Sequence, residues 1–233
     1  DLPDYKVDTS VDPEAIQKAV ELIQNAERPI LYVGGGILKS RAAESLLELA
    51  ELTGIHVVTT LLARGAFLDT HELCLLMPGM HGNITAVTAM QESDLLITLG
   101  ARFDDRVTGK LDEFAVSAKI IHIDIDPAEL GKVRRPDVPI QGDCRTAVEA
   151  MVSVLRDSGP GDADRTAWKS RISGWQERFP LVYEPSTPGQ ALKPQFVIEK
   201  LRDATPADTI VASGVGQHQM WASQYWTFNH PYT

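Results

Sequence analysis

Charged residues are concentrated at residues 100–110, whose sequence is GARFDDRVTGK. Two arginines and two aspartates stand there between Gly100 and Gly109, and Lys110 follows; the segment comes directly after the apolar run 95–99. A turn needs glycine and one aspartate at most, and a solvated loop rarely places a residue such as Phe103 between its charges. A surface cluster of ion pairs is one interpretation. The position after an apolar strand favours a ligand, because open α/β sheets bind ligands beyond the carboxyl ends of their strands.

Small and polar residues follow the other predicted strands. Glycine admits close approach of a phosphate, arginine neutralises it, and a carboxylate accepts hydrogen bonds from ribose hydroxyls or an adenine amine. Together these residue types predict a nucleotide at this edge of the sheet. The set comprises Gly34, Gly35 and Gly36 after residues 29–33, Thr59 and Thr60 after the second strand, Asp124 and Asp126 after the fourth, and Asp143 in the segment 139–143.

Two common nucleotide motifs are incomplete in this sequence. Lys39 stands where GxGxxG needs its third glycine, and Thr60 ends the second strand where an NAD site needs an acidic residue. A P-loop is excluded, because Gly109-Lys110 is followed by Leu111 rather than Ser or Thr. The sequence therefore excludes a P-loop and weakens the interpretation as an ordinary nicotinamide-binding site.

The fourth strand ends in a His-x-Asp-x-Asp pattern, His122 to Asp126. The sequence Asp126-Pro127-Ala-Glu129 predicts a capping box, so Asp126 has a structural role and Asp124 is the ligand candidate. A metal site that includes His122 remains an alternative. The segment Met80-His81-Gly82 is consistent with a plain loop or with a contact to a ligand.

The segment 213–222, SGVGQHQMWA, is a glycine-rich turn followed by a predicted helix. Backbone N–H groups at such a helix start attract anions, and a diphosphate fits this chemistry. The alternative is a glycine-capped turn before an amphipathic helix. Core packing does not explain the polar run Gln217-His218-Gln219 in the first helical turn, so this run favours the anion site.

The elements that position these residues alternate between strands and helices. Periodicity predicts helices at 13–24, 40–53, 83–92 and 145–156, and strands at 29–33, 56–60, 95–99 and 119–125. This α/β pattern predicts a Rossmann-like parallel sheet with helices on both faces, followed by a linker and an incomplete second α/β unit. The later part contains a short helix at 167–179, a helix from 194 to 201 and a strand at 209–213.

Composition narrows the class of partner. The 233 residues carry a net charge of −10 with dispersed lysines and arginines, which argues against nucleic-acid and membrane surfaces. The only cysteines, Cys74 and Cys144, lack metal-site spacing and fit a reducing, cytoplasmic setting. The chain has no initiator Met and stops in an aromatic-rich stretch, so we expect an excerpt of a longer protein.

In these motifs the sequence resembles the acetohydroxyacid synthase (acetolactate synthase) family, whose catalytic large subunit is a thiamine-diphosphate enzyme. The resemblance covers nearly the whole chain. It implies a central FAD-binding domain at 1–157, a linker with a short helix at 158–190 and the truncated start of a thiamine-diphosphate-binding domain at 191–233. It rests on the GGG segment, the MHG segment, GARFDDRVTGK, the strand ending in Asp124, Gly142-Asp143 and GVGQHQMWA, in this order.

The resemblance also implies site residues and cofactors. Thiamine diphosphate would contact Val215, Gly216, Gln217 and His218, and Arg106 would also face the substrate channel. The catalytic glutamate and the Mg²⁺ ligands would lie outside this chain, which therefore contains no catalytic residue. The implied FAD contacts are Gly34, Gly35, Gly36, Thr60, Leu61, Met80, His81, Gly100, Ala101, Arg102, Asp104, Arg106, Val107, Asp124, Ile125, Asp143 and Cys144.

The implied reaction condenses two pyruvates to 2-acetolactate, or pyruvate with 2-ketobutyrate, in valine, leucine and isoleucine biosynthesis. The flavin performs no net redox step in this family, and the chain alone is expected to be inactive. Implied partners are 2-keto acids, the missing domains, further subunits of a homodimer or homotetramer, and a small regulatory subunit. A different thiamine flavoenzyme, such as pyruvate oxidase or glyoxylate carboligase, and a non-catalytic nucleotide-binding module remain alternatives.

Overall fold

A computed structural model describes residues 8–233; residues 1–7 of the predicted first domain lie outside the described residues. Five strands form one parallel sheet in the order β2-β1-β3-β4-β5. The first three are buried along their whole length, which explains the largely apolar sequences of β1 and β3. The strands are β1 (Pro29–Val33), β2 (His56–Thr59), β3 (Leu95–Leu99), β4 (Lys119–Asp124) and β5 (Val138–Gln141).

Helices cover both faces of the sheet, as the sequence predicts. One core cluster packs α1, α3 and α6 against the sheet, and a second packs α4 and α7 against the opposite face. None of the helices among residues 8–233 is long and apolar enough to cross a bilayer. The helices are α1 (Pro13–Asn25), α2 (Gly35–Lys39), α3 (Ala43–Thr53), α4 (Ile84–Glu92), α5 (Asp105–Thr108), α6 (Cys144–Ser158), α7 (Thr166–Arg178), α8 (Pro194–Asp203) and α9 (Gln217–Tyr225).

Local capping fixes several of these boundaries. The side chain of Asp12 accepts the N–H of Glu14 at the start of α1, and Asn83 accepts the N–H of Ala86 at the start of α4. Gly54 ends α3 with φ 63°, a left-handed conformation that glycine adopts without strain.

Two predicted features differ around α2. The glycine segment 34–36 leads into a helix that the sequence did not predict, because Gly35 and Gly36 form the first turn of the short helix α2. The helix predicted from residue 40 begins instead at Ala43. Arg41 has a φ of 57°, which no right-handed helix accommodates, so the chain reorients between α2 and α3.

The predicted capping box at Asp126 was wrong. Residues 127–130 form a turn rather than a helix, and the Asp126 carboxylate accepts the N–H of Ala128 within it. Glu129 forms an ion pair with Lys132 instead of bonding the N–H of Asp126. The N–H of Asp126 donates instead to Oδ1 of Asp124 at 2.9 Å. Asp124, at the end of β4, therefore occupies the donor that Glu129 would bind in a capping box.

The later part of the chain is attached to this sheet. Trp168 and Ile172 of α7 are buried in the second core cluster, although α7 lies in the predicted linker. The predicted strand at 209–213 was wrong, because these residues join no sheet and Ile210 is 77% exposed. Helix α9 begins directly after the glycine-rich turn, as the sequence predicts.

Candidate cofactor site at the carboxyl edge of the sheet

The strand order places a topological switch between β1 and β3. Strand β2 lies on one side of β1, whereas β3, β4 and β5 lie on the other. The segments that follow β1 and β3 therefore diverge and leave a crevice at the carboxyl edge. Doubly wound sheets with this order bind nucleotides at that position.

Glycines close the floor of the crevice by packing against each other. A Cβ at Gly34 would overlap the backbone of Gly100 and Ala101, and a Cβ at Gly36 would lie 2.6 Å from the Cα of Gly100. The N–H of Gly36 donates to the carbonyl of Gly100 at 3.1 Å. Contact between the two loops therefore explains Gly34 and Gly36 without a ligand.

Cys144 completes this floor. A Cβ on Gly100 would approach its Sγ to 2.9 Å. Burial raises the pKa of the Cys144 thiol to about 12, with smaller contributions from Asp124 and Asp143. The side chain is therefore a packed, neutral thiol beneath the predicted site.

The charged loop presents its arginines to solvent. Asp104 caps α5 by accepting the N–H of Arg106 at 3.1 Å, and this bond is the largest cause of a lowered pKa for Asp104. The Arg102 guanidinium lies 3.9 Å from Asp104, and its side chain is 63% exposed. Arg106 is also exposed and makes no ion pair within residues 8–233. Both cations are therefore available to an anionic ligand at the crevice.

The two carboxylates at the strand ends are partly committed to the backbone. Asp124 uses Oδ1 for the N–H of Asp126, and Asp143 uses Oδ1 to cap α6. Their Oδ2 atoms accept no hydrogen bond from any residue that the structure describes. Ile125 beside them is 41% exposed. The second oxygens can therefore accept from ribose or adenine groups.

The metal alternative at the end of β4 is not supported. His122 is 1% exposed and turns its Nε2 toward the carbonyl of Ala101 at 3.1 Å. Asp126 is exposed and bonded within its own turn. Across residues 8–233, no group of three or more histidines, cysteines, aspartates or glutamates is arranged to hold a metal.

Six of the predicted FAD residues line one apolar cavity of about 110 Å³. The sequence did not identify Met77, Pro78 or the wall that α9 contributes, although the helical spacing of Gln219 and Ser223 could have indicated one face of that helix. The complete lining is Thr60, Leu61, Met77, Pro78, Met80, His81, Arg106, Val107, Gln219, Met220 and Ser223.

Backbone contacts hold the cavity walls together. The N–H of Met80 donates to the carbonyl of Arg106 at 2.8 Å, which joins the Met80–His81 loop to α5. The side-chain Nε2 of Gln224 donates to the carbonyl of His81 at 2.8 Å, which joins the same loop to α9. These two hydrogen bonds therefore fix the Met80–His81 loop relative to both α5 and α9.

The predicted diphosphate residues stand outside the cavity, at the start of α9. Val215 is 92% exposed, and Gln217 and His218 are also exposed. The N–H groups of Gln217 and His218 have no hydrogen-bond partner among the described residues, as expected for a first helical turn. Gln219 and Met220, which follow directly, line the cavity.

Comparison with known proteins identifies the family. The model of the central domain of thiamine pyrophosphate enzymes matches residues 16–151, more than half of the chain. An acetolactate synthase of Mycobacterium leprae is 52% identical over 234 residues, which cover 100% of this chain and 37% of that protein. The acetolactate synthase large subunit of Corynebacterium glutamicum is 50% identical over 233 residues, again covering 100% of this chain and 37% of the relative.

A chloroplastic acetolactate synthase of Brassica napus is 45% identical over 99% of this chain and 35% of that protein. The chain thus spans about 37% of the length of its bacterial relatives. The family match includes β1 to β5 and the predicted flavin loops. The chain therefore belongs to the family of thiamine pyrophosphate enzymes, and residues 16–151 are its central domain.

Proposed function

We propose that the chain is the central portion of an acetolactate synthase that condenses two pyruvates to 2-acetolactate, or pyruvate with 2-ketobutyrate. The observation that carries this proposal is the shared cavity. Arg106 and Val107 of GARFDDRVTGK form one wall, and Gln219 and Met220 of GVGQHQMWA form another. The two motifs most specific to the resembling family therefore meet at one site.

FAD is the proposed ligand of the carboxyl edge. The residues fit it chemically, because Arg102 and Arg106 present exposed cations and Asp124 and Asp143 each retain one carboxylate oxygen for a hydroxyl or amine. Gly35 is the glycine of its segment least enclosed by backbone: a Cβ there would contact Leu62 at 3.3 Å. The proposed flavin contacts are those that the resemblance implies, with Gly34, Gly36 and Cys144 as the packed floor.

Thiamine diphosphate is the proposed ligand of residues 215–218. When bound, it supplies a thiazolium carbon that stabilises the carbanion left by decarboxylation of a 2-keto acid. The N–H groups of Gln217 and His218 would bind its diphosphate. Arg106 would neutralise the substrate carboxylate at the cavity mouth, while the buried Met77 and the half-buried Val107 would exclude water from the cavity.

The remaining machinery is proposed to lie in the other parts of the parent enzyme. These parts would supply the glutamate that activates the cofactor and the Mg²⁺ ligands, so the present chain alone is expected to form no acetolactate. The parent is proposed to act in the cytoplasm as a homodimer or homotetramer. A small regulatory subunit is the proposed partner, since the Corynebacterium relative is named a large subunit.

A chimera tests this proposal. The 233 residues replace the matched segment of the Corynebacterium glutamicum large subunit, and acetolactate formed from pyruvate is measured colorimetrically as acetoin. The expected result is acetolactate formation, abolished or strongly reduced by Arg106→Ala. A folded chimera that consumes oxygen with pyruvate would favour the pyruvate oxidase alternative, and one that binds nucleotide without turnover would favour the non-catalytic module.

A further inference from the structure

A row of buried polar side chains crosses the sheet beneath the charged loop. Tyr32, Thr98 and His122 are register neighbours on β1, β3 and β4. They are 0%, 0% and 1% exposed, and apolar residues of the second core cluster surround them. Burying polar groups costs free energy unless they are hydrogen-bonded, so this row needs a structural reason.

Two members of the row hold consecutive carbonyl groups of the loop. The Nε2 of His122 lies 3.1 Å from the carbonyl oxygen of Ala101. The hydroxyl of Tyr32 donates to the carbonyl oxygen of Arg102 at 2.9 Å. The Phe103 ring packs between them, with its centroid 6.0 Å from Tyr32 and 5.3 Å from His122.

These bonds fix the direction of one side chain. The two carbonyls belong to the peptide groups on either side of the Arg102 Cα, and each peptide group is planar. Holding both planes sets φ and ψ at Arg102 and therefore the direction of its Cα–Cβ bond. The Arg102 side chain is 63% exposed, and the nearest carboxylate to its guanidinium within the described part of the chain is 3.9 Å away, so the backbone is the main constraint on it.

The chemistry of His122 suits this role. A carbonyl oxygen only accepts hydrogen bonds, so the Nε2 facing Ala101 carries the proton and Nδ1 does not. The Thr98 hydroxyl, on the register partner in β3, and Nδ1 of His122 are both buried and make no hydrogen bond within the described residues. Burial lowers the pKa of His122, which keeps the ring neutral in this tautomer.

We propose that Tyr32 and His122 are positioning residues that aim Arg102 across the switch point between β1 and β3, toward the diphosphate of a bound dinucleotide. The identity of that dinucleotide as FAD rests on the proposed function. The positioning of the loop is independent of the proposed function, because it follows from the contacts of Ala101, Arg102 and Phe103 alone.

Three variants of the 233-residue chain test this role. Tyr32→Phe removes only the hydroxyl, and His122→Met removes the donor at similar volume. His122→Gln retains a side-chain N–H at the same number of bonds from Cα. Tyr183→Phe is the matched control, because it removes a tyrosine hydrogen bond to Glu199 far from this loop.

The first measurement is the rate of trypsin cleavage after Arg102, normalised to cleavage after Arg178 in the same digest. Loss of one hydrogen bond should raise it about fivefold in Tyr32→Phe and in His122→Met, but not in Tyr183→Phe. A positioning role also predicts that His122→Gln stays closer to wild type than His122→Met. A packing role predicts the reverse order, and that order or an unchanged cleavage rate would overturn the proposal.

The second measurement is FAD affinity by quenching of flavin fluorescence. Tyr32→Phe and His122→Met should each weaken FAD binding by about two- to tenfold, with Tyr183→Phe unchanged. Faster cleavage with unchanged FAD affinity would overturn the aiming of Arg102 at flavin. If the wild-type chain binds no FAD, the proposed flavin site fails, and the cleavage order still decides whether Tyr32 and His122 position the loop.

Discussion

Asp69 and Phe228, 159 positions apart in the chain, exchange two hydrogen bonds. The N–H of Phe228 donates to Oδ2 of Asp69 at 2.8 Å, and the N–H of Asp69 donates to the carbonyl of Phe228 at 3.0 Å. Arg64 pairs with the same carboxylate and stacks on the Phe228 ring. This junction holds the segment after α9 against the loop after β2, and thereby holds α9 against the cavity.

Removing the charge at Asp69 should destabilise the chain strongly. Both side chains of the Arg64–Asp69 pair are only 4% exposed, so Asp69→Asn leaves a buried guanidinium without its counter-charge. The expected loss in the free energy of unfolding is roughly 3–5 kcal/mol, measured by urea denaturation with tryptophan fluorescence. Glu113→Gln is the control, because its exposed pair with Lys110 should change stability by less than about 1 kcal/mol. Equal effects of the two substitutions would refute the junction.

Glycine packing at the crevice floor predicts that Gly→Ala lowers the stability of the chain at Gly34, although the same change raises it at Gly174. Gly34→Ala forces a Cβ into the backbone of Gly100 and Ala101 and should cost about 1–3 kcal/mol. Gly174→Ala, inside α7 with no atom within 4 Å of the new Cβ, should stabilise the chain by about 0.5–1 kcal/mol. Thermal unfolding of both variants measures the difference, and a neutral Gly34→Ala would contradict the packed floor.

His56 should make stability fall in mild acid. Burial, with a smaller contribution from Lys169, lowers the pKa of His56 from 6.5 to about 4. Between these values the unfolded chain binds a proton that the folded chain excludes, so the free energy of unfolding falls as the pH drops below 6.5. His56→Gln should remove about 2 kcal/mol of the loss between pH 7.5 and pH 5, as measured by urea titrations.

Replacing the exposed His218 by Gln provides the matched control for this pH effect. The loss of stability between pH 7.5 and pH 5 should persist in this variant, because His56 is retained. A wild-type pH profile in His56→Gln would show that His56 takes up its proton in the folded chain as readily as in the unfolded one.

Arg165 should decide where proteases cut the chain. Its guanidinium donates to the carbonyls of Ile23 and Ala26 at the end of α1 and of Thr53 at the end of α3, which attaches the start of α7 to the sheet layer. In limited proteolysis we expect the first cuts in residues 180–192 rather than in 158–164. Arg165→Ala should open the earlier site, whereas Arg178→Ala on the same helix should not.

The sheet could be predicted because its sequence signals are local. Residues 29–33 and 95–99 are largely apolar runs, and Asp12 and Gly54 mark helix ends through their own side chain or φ. The capping box failed because Asp124 competes for the N–H of Asp126, a contact that spacing alone does not reveal. The strand at 209–213 failed because a strand also needs a neighbour for its backbone groups.

The candidate site was only partly accessible from sequence. Motif resemblance identified Thr60, Met80 and Arg106, which share the cavity, because each lies in a distinctive local segment. Met220 was missed because its contribution depends on how α9 packs against loops more than 100 residues earlier. Tyr32 and the inward orientation of His122 were missed because nothing in a buried strand indicates which loop crosses it.

FAD binding by the purified 233-residue chain tests the central claim most directly. Titration followed by flavin fluorescence should show saturable binding that Arg102→Ala weakens by about 1.5–3 kcal/mol, the range for a charge-assisted hydrogen bond. Lys110→Ala is the control, because Lys110 lies in the same loop but pairs with Glu113. Saturable binding that is weakened in Arg102→Ala and retained at wild-type affinity in Lys110→Ala is the predicted result. Absence of saturable binding, or equal weakening by both substitutions, would contradict a flavin site at the carboxyl edge of this sheet.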